Sequence, residues 1–192
     1  MNYQDYIWDL GGTLLDNYET STAAFVHTLQ DFGLTGSHDE VYKALKVSTD
    51  YAVRQFAPEN KEFLKAYKAN EAKELEHPIL FEGASELLAQ IIQQGGRNFL
   101  ISHRDDQVLE ILQKTQISAY FTEVVTATNG FKRKPDPESM LYLKDKYQIE
   151  SGLVIGDRPI DIEAGQAAGF SCYLFDNMKN LEEFVDIELE KE

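Results

Sequence analysis

Acidic side chains follow two apolar segments of the chain. Asp9 ends the first segment and is followed by Gly11 and Gly12, whereas Asp157 follows a later segment and Asp161 comes four residues after it. Magnesium prefers hard oxygen ligands and usually takes one or two carboxylates together with water and substrate phosphate. The pattern therefore indicates a Mg²⁺ site with Asp157 as a direct ligand and Asp161 in support. Helix capping is the simpler role of an aspartate at such a position.

Two further segments carry groups that bind anions. Ser102 ends an apolar segment, and its hydroxyl can donate one hydrogen bond to an anionic oxygen. Lys134 is the last of three consecutive cations, in a chain that is otherwise acidic. Taken singly, the serine suits a helix cap and the basic run suits a solvated turn. Together the four segments indicate one site that binds a metal ion and an anionic ligand.

The apolar segments before these residues are predicted to be strands of a parallel sheet. The predicted strands are 6–8, 98–101, 123–126, 152–155 and 171–175, and helical periodicity predicts helices at 84–94, 106–114 and 138–147. Strands that alternate with helices of this length predict an α/β fold with a doubly wound parallel-sheet (Rossmann-like) core. Ligands of such sheets bind at the carboxyl ends of the strands, where the acidic and hydroxyl residues lie.

A small helical cap is predicted as an insertion after the first strand. Residues 17–77 interrupt the alternation and are expected to form three or four helices, most clearly at 23–32, 40–46 and 62–75. We therefore assign residues 1–16 and 78–192 to the core and 17–77 to the cap. Such helices can exclude water and shape a substrate pocket, or they can simply pack on the core. The acidic tail, 186–192, is expected to be frayed.

Composition favours a protein that acts on small molecules. The 33 acidic and 18 basic residues give a formal net charge of -15, which disfavours nucleic acid and anionic membrane surfaces as partners. Cys172 is the only cysteine, so an intrachain disulfide is excluded. The first residues lack the basic start and apolar run of a signal peptide, and we expect a cytoplasmic location.

The order of these segments resembles that of the haloacid dehalogenase superfamily of phosphohydrolases. The matching segments are Asp-Leu-Gly-Gly-Thr at 9–13, Ser102, Lys-Pro-Asp-Pro at 134–137 and Gly-Asp-Arg-Pro-Ile-Asp at 156–161. The resemblance covers essentially the whole chain, including the cap. Within the superfamily, the chain is most similar to the phosphoglycolate phosphatase and β-phosphoglucomutase group.

The resemblance implies a magnesium-dependent phosphatase of small phosphorylated metabolites that works through an aspartyl-phosphate. Asp9 would be the nucleophile. Phosphoryl oxygens would be held by Thr13, Ser102 and Lys134, and Mg²⁺ would be held by Asp9, the backbone carbonyl of Gly11 and Asp157, with Asp161 in support.

Gly11 departs from the pattern of the family. Phosphatases and phosphomutases of the superfamily carry an aspartate there that protonates the leaving oxygen and then activates water. Glycine keeps the carbonyl but transfers no proton, and general acid–base catalysis is typically worth about 10²- to 10⁴-fold. His103 is a candidate proton carrier, although a loop histidine bonded to the backbone is the simpler interpretation.

Two alternative functions therefore stay open. One is a catalytically weak or silent protein that binds a phosphorylated ligand or a protein partner and acts as a regulator. The other is a phosphonate-cleaving hydrolase, which would need a cap lysine such as Lys43 or Lys46 to form an imine. Both lysines are more simply interpreted as solvent-facing helix residues.

Overall fold

The computed structural model of the chain describes residues 3–58, 60–74 and 76–189. These residues form two compact units, one containing the chain up to Leu15 and from Leu80 onward, the other running from Asp16 to Ile79. Each unit has an apolar core of its own. The tail that we expected to be frayed is helical as far as Leu189, and residues 190–192 lie outside the described part.

Within the described residues, the larger unit contains a five-stranded sheet. Its strands are β1 (Asp5–Trp8), β2 (Arg97–Ile101), β3 (Phe121–Val125), β4 (Gly152–Gly156) and β5 (Ser171–Leu174). The strands lie in the order β3-β2-β1-β4-β5, and each neighbouring pair is parallel. The chain order reverses between β1 and β4, which is where doubly wound sheets bind ligands. The predicted core, with a helical insertion after β1, is confirmed.

Helices cover both faces of this sheet. They are α5 (Ala84–Gln93), α6 (Gln107–Lys114), α7 (Glu138–Tyr147), α8 (Pro159–Ala167) and α9 (Met178–Leu189). Tyr6 and Trp8 of β1 pack with α5, α6 and α9, whereas Ile7 packs with α7 and α8. Successive strand residues point to opposite faces, so a short strand contributes to two apolar cores. The three central strands, β1, β2 and β4, are therefore buried on both sides, and their ends are left to carry polar groups.

The smaller unit, here called the cap, is helical. It contains α1 (Asn17–Asp31), α2 (His38–Val47), α3 (Thr49–Phe56) and α4 (Phe63–Glu74). The ring of Phe25 lies at its centre, 4.9 Å from the Phe63 ring and 5.0 Å from the Tyr67 ring, measured between centroids. Edge-on aromatic packing of this kind stabilises a small core. No helix of either unit, within the described residues, combines the length and apolar character needed to cross a bilayer.

Helix α1 begins at Asn17 rather than at residue 23, where the apolar periodicity starts. The Asp16 carboxylate accepts a hydrogen bond from the Glu19 amide at 3.0 Å and so caps the helix. An N-cap of this type satisfies an amide that otherwise has no intrahelical partner. The polar first turns are therefore helical although they lack an apolar face.

The chain enters and leaves the cap through two adjacent segments. In the larger unit, Leu15 and Leu80 form an antiparallel bridge, and the Phe81 amide donates to the Leu14 carbonyl at 2.9 Å. In the cap, the Asp16 amide donates to the carbonyl of Ile79, also at 2.9 Å. These main-chain bonds join the two connecting segments at the root of the insertion.

Candidate active site

The candidate site residues lie at the carboxyl ends of the central strands. Asp9 follows β1, and its amide donates to the Ile155 carbonyl in β4 at 2.9 Å. Ser102 follows β2, and its amide donates to the Val125 carbonyl in β3 at 2.9 Å. Asp157 follows β4. The sheet hydrogen bonding thus continues past β1 and β2, and it fixes the backbone of both residues.

Lys134 joins the loop before α7 to two acidic residues. Its ammonium nitrogen lies 2.6 Å from Asp9 Oδ1 and 2.5 Å from Asp161 Oδ1, and it donates to the Ile101 carbonyl at 3.3 Å. The Asp161 contact is an ion pair without hydrogen-bond alignment. The exposed fractions of the Lys134 and Asp9 side chains are 1% and 7%. Buried charges need partners, so these three side chains depend on one another.

Three acidic residues of this site fit a divalent cation. Asp9, Asp157 and Asp161 each offer an oxygen atom within 4.8 Å of the others. In the described part of the chain, the buried Oδ1 atom of Asp157 has no hydrogen-bond partner. Three carboxylates meet a single buried ammonium group, so negative charge is in excess. Hard oxygen donors with an excess of negative charge are the ligand set that Mg²⁺ prefers.

The pKa values of two carboxyl groups reflect this crowding. Burial raises the pKa of Asp9, although the Lys134 ammonium opposes the shift. Burial, and then the charges of Asp9 and Asp161, raise the pKa of Asp157 to about 6. Asp157 is not the N-cap of α8, since Arg158 occupies that position. The helix-capping alternative for Asp157 is therefore wrong, and its carboxylate is left for the site.

Two glycines let the acidic residues approach the strand ends. Gly12 has a φ of 86°, and a Cβ atom there would collide with the Asp157 carboxylate. A Cβ atom at Gly156 would collide with the Asp161 side chain. Gly12 is thus needed for its left-handed backbone and for close approach, whereas Gly156 is needed for close approach alone. The glycine turn after β1 is part of how the carboxylates are brought together.

Comparison with known proteins identifies the family. Residues 6–175 match the family model described as haloacid dehalogenase-like hydrolase. The chain belongs to this family. The predicted resemblance is confirmed, and the protein is a haloacid dehalogenase-like hydrolase with phosphatases among its homologues.

Several relatives of this haloacid dehalogenase-like hydrolase are similar over most of their length. The crystal structure of a hydrolase from Streptococcus pneumoniae TIGR4 is 70% identical, with a TM-score of 0.93, and the match covers 97% of this chain and 100% of that one. A phosphoglycolate phosphatase of Aliivibrio fischeri is 27% identical over 187 residues, or 88% of this chain and 81% of the relative. The pyrophosphatase PpaX of Oceanobacillus iheyensis is 27% identical over 178 residues, with the same two coverages.

Two hydroxyl groups of the haloacid dehalogenase-like site can still donate hydrogen bonds. Thr13 is fully buried, and its Oγ1 atom has no hydrogen-bond partner among the described residues. Ser102 Oγ accepts from the Arg104 amide at 3.2 Å, which leaves its own hydrogen to donate. A buried polar group without a partner is costly unless a ligand or water satisfies it. Thr13 therefore fits an anionic ligand.

His103, which follows Ser102, has a main-chain partner. The Lys134 amide donates to His103 Nε2 at 2.8 Å. Burial, and then the charges of Lys134 and Arg133, lower the pKa of the imidazole to about 4. The ring is thus neutral near pH 7 and its Nε2 atom is an acceptor. This arrangement disfavours the proton-carrier role and matches the backbone-bonded histidine that the sequence also allows.

Some contacts of the site are not marked in the sequence. Only Lys134 of the three consecutive cations is buried, whereas Lys132 is exposed with its ammonium 3.6 Å from Asp136 Oδ2. Asp161, expected to support a metal ion, also pairs directly with Lys134. The Ile101 carbonyl is a main-chain acceptor, and such a group carries no sequence signal.

Proposed function

We propose that this haloacid dehalogenase-like hydrolase is a magnesium-dependent phosphatase of small phosphorylated metabolites, and that Asp9 is phosphorylated during turnover. The observation that carries the proposal is the buried pair of Asp9 and Lys134 beside Asp157 and Asp161. A nucleophilic carboxylate and a cation for the phosphoryl oxygens are thereby held together, as phosphoryl transfer requires.

The metal would be held by Asp9, the Gly11 carbonyl and Asp157, with Asp161 in support. When bound, Mg²⁺ supplies the positive charge that lets an anionic phosphate approach a carboxylate. The unpartnered Asp157 oxygen and the excess negative charge support this assignment.

In the first step, an Asp9 oxygen attacks phosphorus and the bond from phosphorus to the leaving oxygen breaks, with its electron pair going to that oxygen. Lys134, Thr13 and Ser102 donate hydrogen bonds to the phosphoryl oxygens. The unpartnered Thr13 hydroxyl and the free hydrogen of Ser102 support these two roles.

In the second step, water attacks phosphorus, the bond to Asp9 breaks and the carboxylate is regenerated, while one proton passes to solvent or to phosphate. Gly11 has no side chain to give a proton to a leaving group or to take one from water. Carboxylate leaving groups need no proton, whereas alkoxides do. We therefore expect acyl phosphates to be better substrates than alkyl phosphates.

The comparisons support the substrate class. The phosphoglycolate phosphatase and the pyrophosphatase to which the chain is similar both act, by their names, on small phosphorylated compounds. The formal net charge of -15 also favours a small ligand over a nucleic acid. Two cap lysines were considered for phosphonate cleavage. Lys43 is exposed. The ammonium nitrogen of Lys46 lies 5.7 Å from the centroid of the Tyr18 ring and 5.3 Å from that of the Tyr42 ring.

The test is phosphate release from acetyl phosphate, measured with Mg²⁺ and with EDTA. Wild type should release phosphate only with Mg²⁺, and Asp9→Asn should release none. Asp136→Asn, which removes a carboxylate outside the buried cluster, should behave as wild type. If the folded wild type releases no more than Asp9→Asn, the proposal is wrong. Calorimetric binding of inorganic phosphate without turnover would then indicate a ligand-binding regulator.

A further inference from the structure

His103 contacts the main chain of the residue that carries the buried ammonium group. The Lys134 amide donates to His103 Nε2 at 2.8 Å, across 31 residues of sequence. We propose that His103 is a positioning residue, whose ring nitrogen fixes the Lys134 backbone and thereby the place of its ammonium group beside Asp9. The effect on turnover rests on the proposed function, whereas the effect on Lys134 itself does not.

The protonation state of the ring suits this role. Because Nε2 accepts the amide hydrogen, the single proton of the neutral imidazole is on Nδ1. Burial, and then the positive charges of Lys134, Arg133 and Arg158 against the negative charge of Asp161, lower the pKa of His103 to about 4. The ring therefore stays an acceptor at neutral pH. The same surroundings make it a poor proton donor.

Lys134 needs an anchor at its backbone. Its side chain is long, yet the ammonium has to meet Asp9, Asp161 and the Ile101 carbonyl at once. A long, flexible side chain can hold its end group at a single position only if the main chain of the residue is also held in place. His103 is bonded through the chain to Ser102, whose amide is held by β3. The hydrogen bond thus connects the end of β2 to the loop that carries Lys134.

Two substitutions separate positioning from proton transfer. His103→Gln keeps an acceptor at a similar reach but transfers no proton near neutral pH. His103→Leu has a similar size and no acceptor. With acetyl phosphate and Mg²⁺, we expect kcat of His103→Gln to stay near wild type and that of His103→Leu to fall about 10- to 100-fold, since a displacement of about 1 Å costs up to 10²-fold.

The pattern of the two variants decides between the roles. An equal fall in kcat in both variants would assign proton transfer to the ring and overturn the proposal. Unchanged kcat in both would also overturn it, because the hydrogen bond would then have no consequence for Lys134. A rise in KM alone, with kcat unchanged in His103→Leu, would likewise overturn it.

A second measurement does not depend on turnover. Acetic anhydride labels exposed amines, and mass spectrometry gives the rate at each lysine. Lys134 should be protected in wild type and in His103→Gln, and should react several-fold faster in His103→Leu. Lys132 is exposed and serves as the reference, while Lys144, whose ammonium donates to the Ala168 carbonyl at 2.8 Å, reports general loosening.

The labelling also separates the two proposals. If wild type shows no Mg²⁺-dependent phosphate release, the proposed function fails, and labelling of Lys134 still tests the positioning role. Unchanged labelling of Lys134 in His103→Leu would overturn the positioning role. Equal acceleration at Lys134 and Lys144 would do the same, because His103 would then stabilise the fold in general.

Discussion

Asp9 and Lys134 are 125 residues apart in the sequence, and the ammonium nitrogen of Lys134 lies 2.6 Å from Asp9 Oδ1. The contact joins the end of the first strand to the loop before α7. Pairing of β1 with β2 and of β2 with β3 brings the end of β1 close to the loop that follows β3. The charge pair of the proposed chemistry is therefore also a long-range contact of the fold.

Removing the ammonium group should destabilise the protein. Lys134→Met leaves Asp9 and Asp161 buried without their cation, and breaking a buried pair costs about 3–5 kcal/mol. Lys132→Met removes an exposed cation and should cost less than about 0.5 kcal/mol. Urea unfolding in EDTA measures both. Similar free energies of unfolding for the two variants would contradict the importance of the pair. Added Mg²⁺ should reduce the deficit of Lys134→Met.

A carboxyl group at position 11 should widen the range of leaving groups. Gly11 is not among the residues with positive φ, so a side chain there does not force a left-handed backbone. Gly11→Asp should raise the turnover of alkyl phosphates by about 10²- to 10⁴-fold, the usual range for general acid–base catalysis. The turnover of acetyl phosphate should increase much less in this variant, because its leaving group needs no proton. Gly11→Asn is the control with similar shape, and an equal gain in that variant would exclude proton transfer as the cause.

A methyl group at Gly12 should weaken Mg²⁺ binding. Gly12→Ala places Cβ against the Asp157 carboxylate and also forces a left-handed backbone on alanine. Gly95→Ala is the matched control, since Gly95 has a φ of 84° and no atom within 4 Å of its added Cβ. Both should lose about 1–2 kcal/mol of stability from the backbone alone. Only Gly12→Ala should need more Mg²⁺ for half-maximal phosphate release. The same Mg²⁺ requirement in both variants would contradict the role of close approach.

His103 should make stability depend on pH. Burial and neighbouring cations lower its pKa from 6.5 to about 4, so the unfolded chain takes up a proton that the folded chain does not. The unfolded state then binds more protons between these values, and stability falls as the pH decreases through that window. Urea unfolding at about pH 7 and about pH 5 should show a larger loss in wild type than in His103→Gln. Equal losses would contradict the lowered pKa.

Much of the site follows from where strands end. Asp9, Ser102 and Asp157 each come directly after an apolar segment, and parallel strands bring their carboxyl ends to one edge of the sheet. The alternation of strands and helices was enough to predict the doubly wound core. These patterns can be read from short stretches of sequence, because a strand that is buried on both faces needs apolar residues at successive positions.

Other features depend on tertiary structure. The direct pairing of Asp161 with Lys134 depends on the path of the loop before α7, which no local pattern describes. The partner of His103 is a main-chain amide, a group that every residue except proline provides. Helix α9 is absent from the sequence prediction although its signal is local: Met178, Leu181 and Val185 are spaced by three and four residues, as on one face of a helix, and all three are buried in the core.

The root of the insertion has a consequence for how the protein can diversify. The Leu15–Leu80 bridge and the bond from the Asp16 amide to the Ile79 carbonyl bring the two crossing points of the chain side by side. An insertion whose ends meet in this way adds no constraint on strand register, whatever its length. Helices of the cap can then be exchanged, lengthened or lost in evolution while the carboxylates at the strand ends keep their spacing. Recombination at 15–16 and 79–80 is accordingly expected to give this hydrolase a different cap while leaving its strand pairing intact.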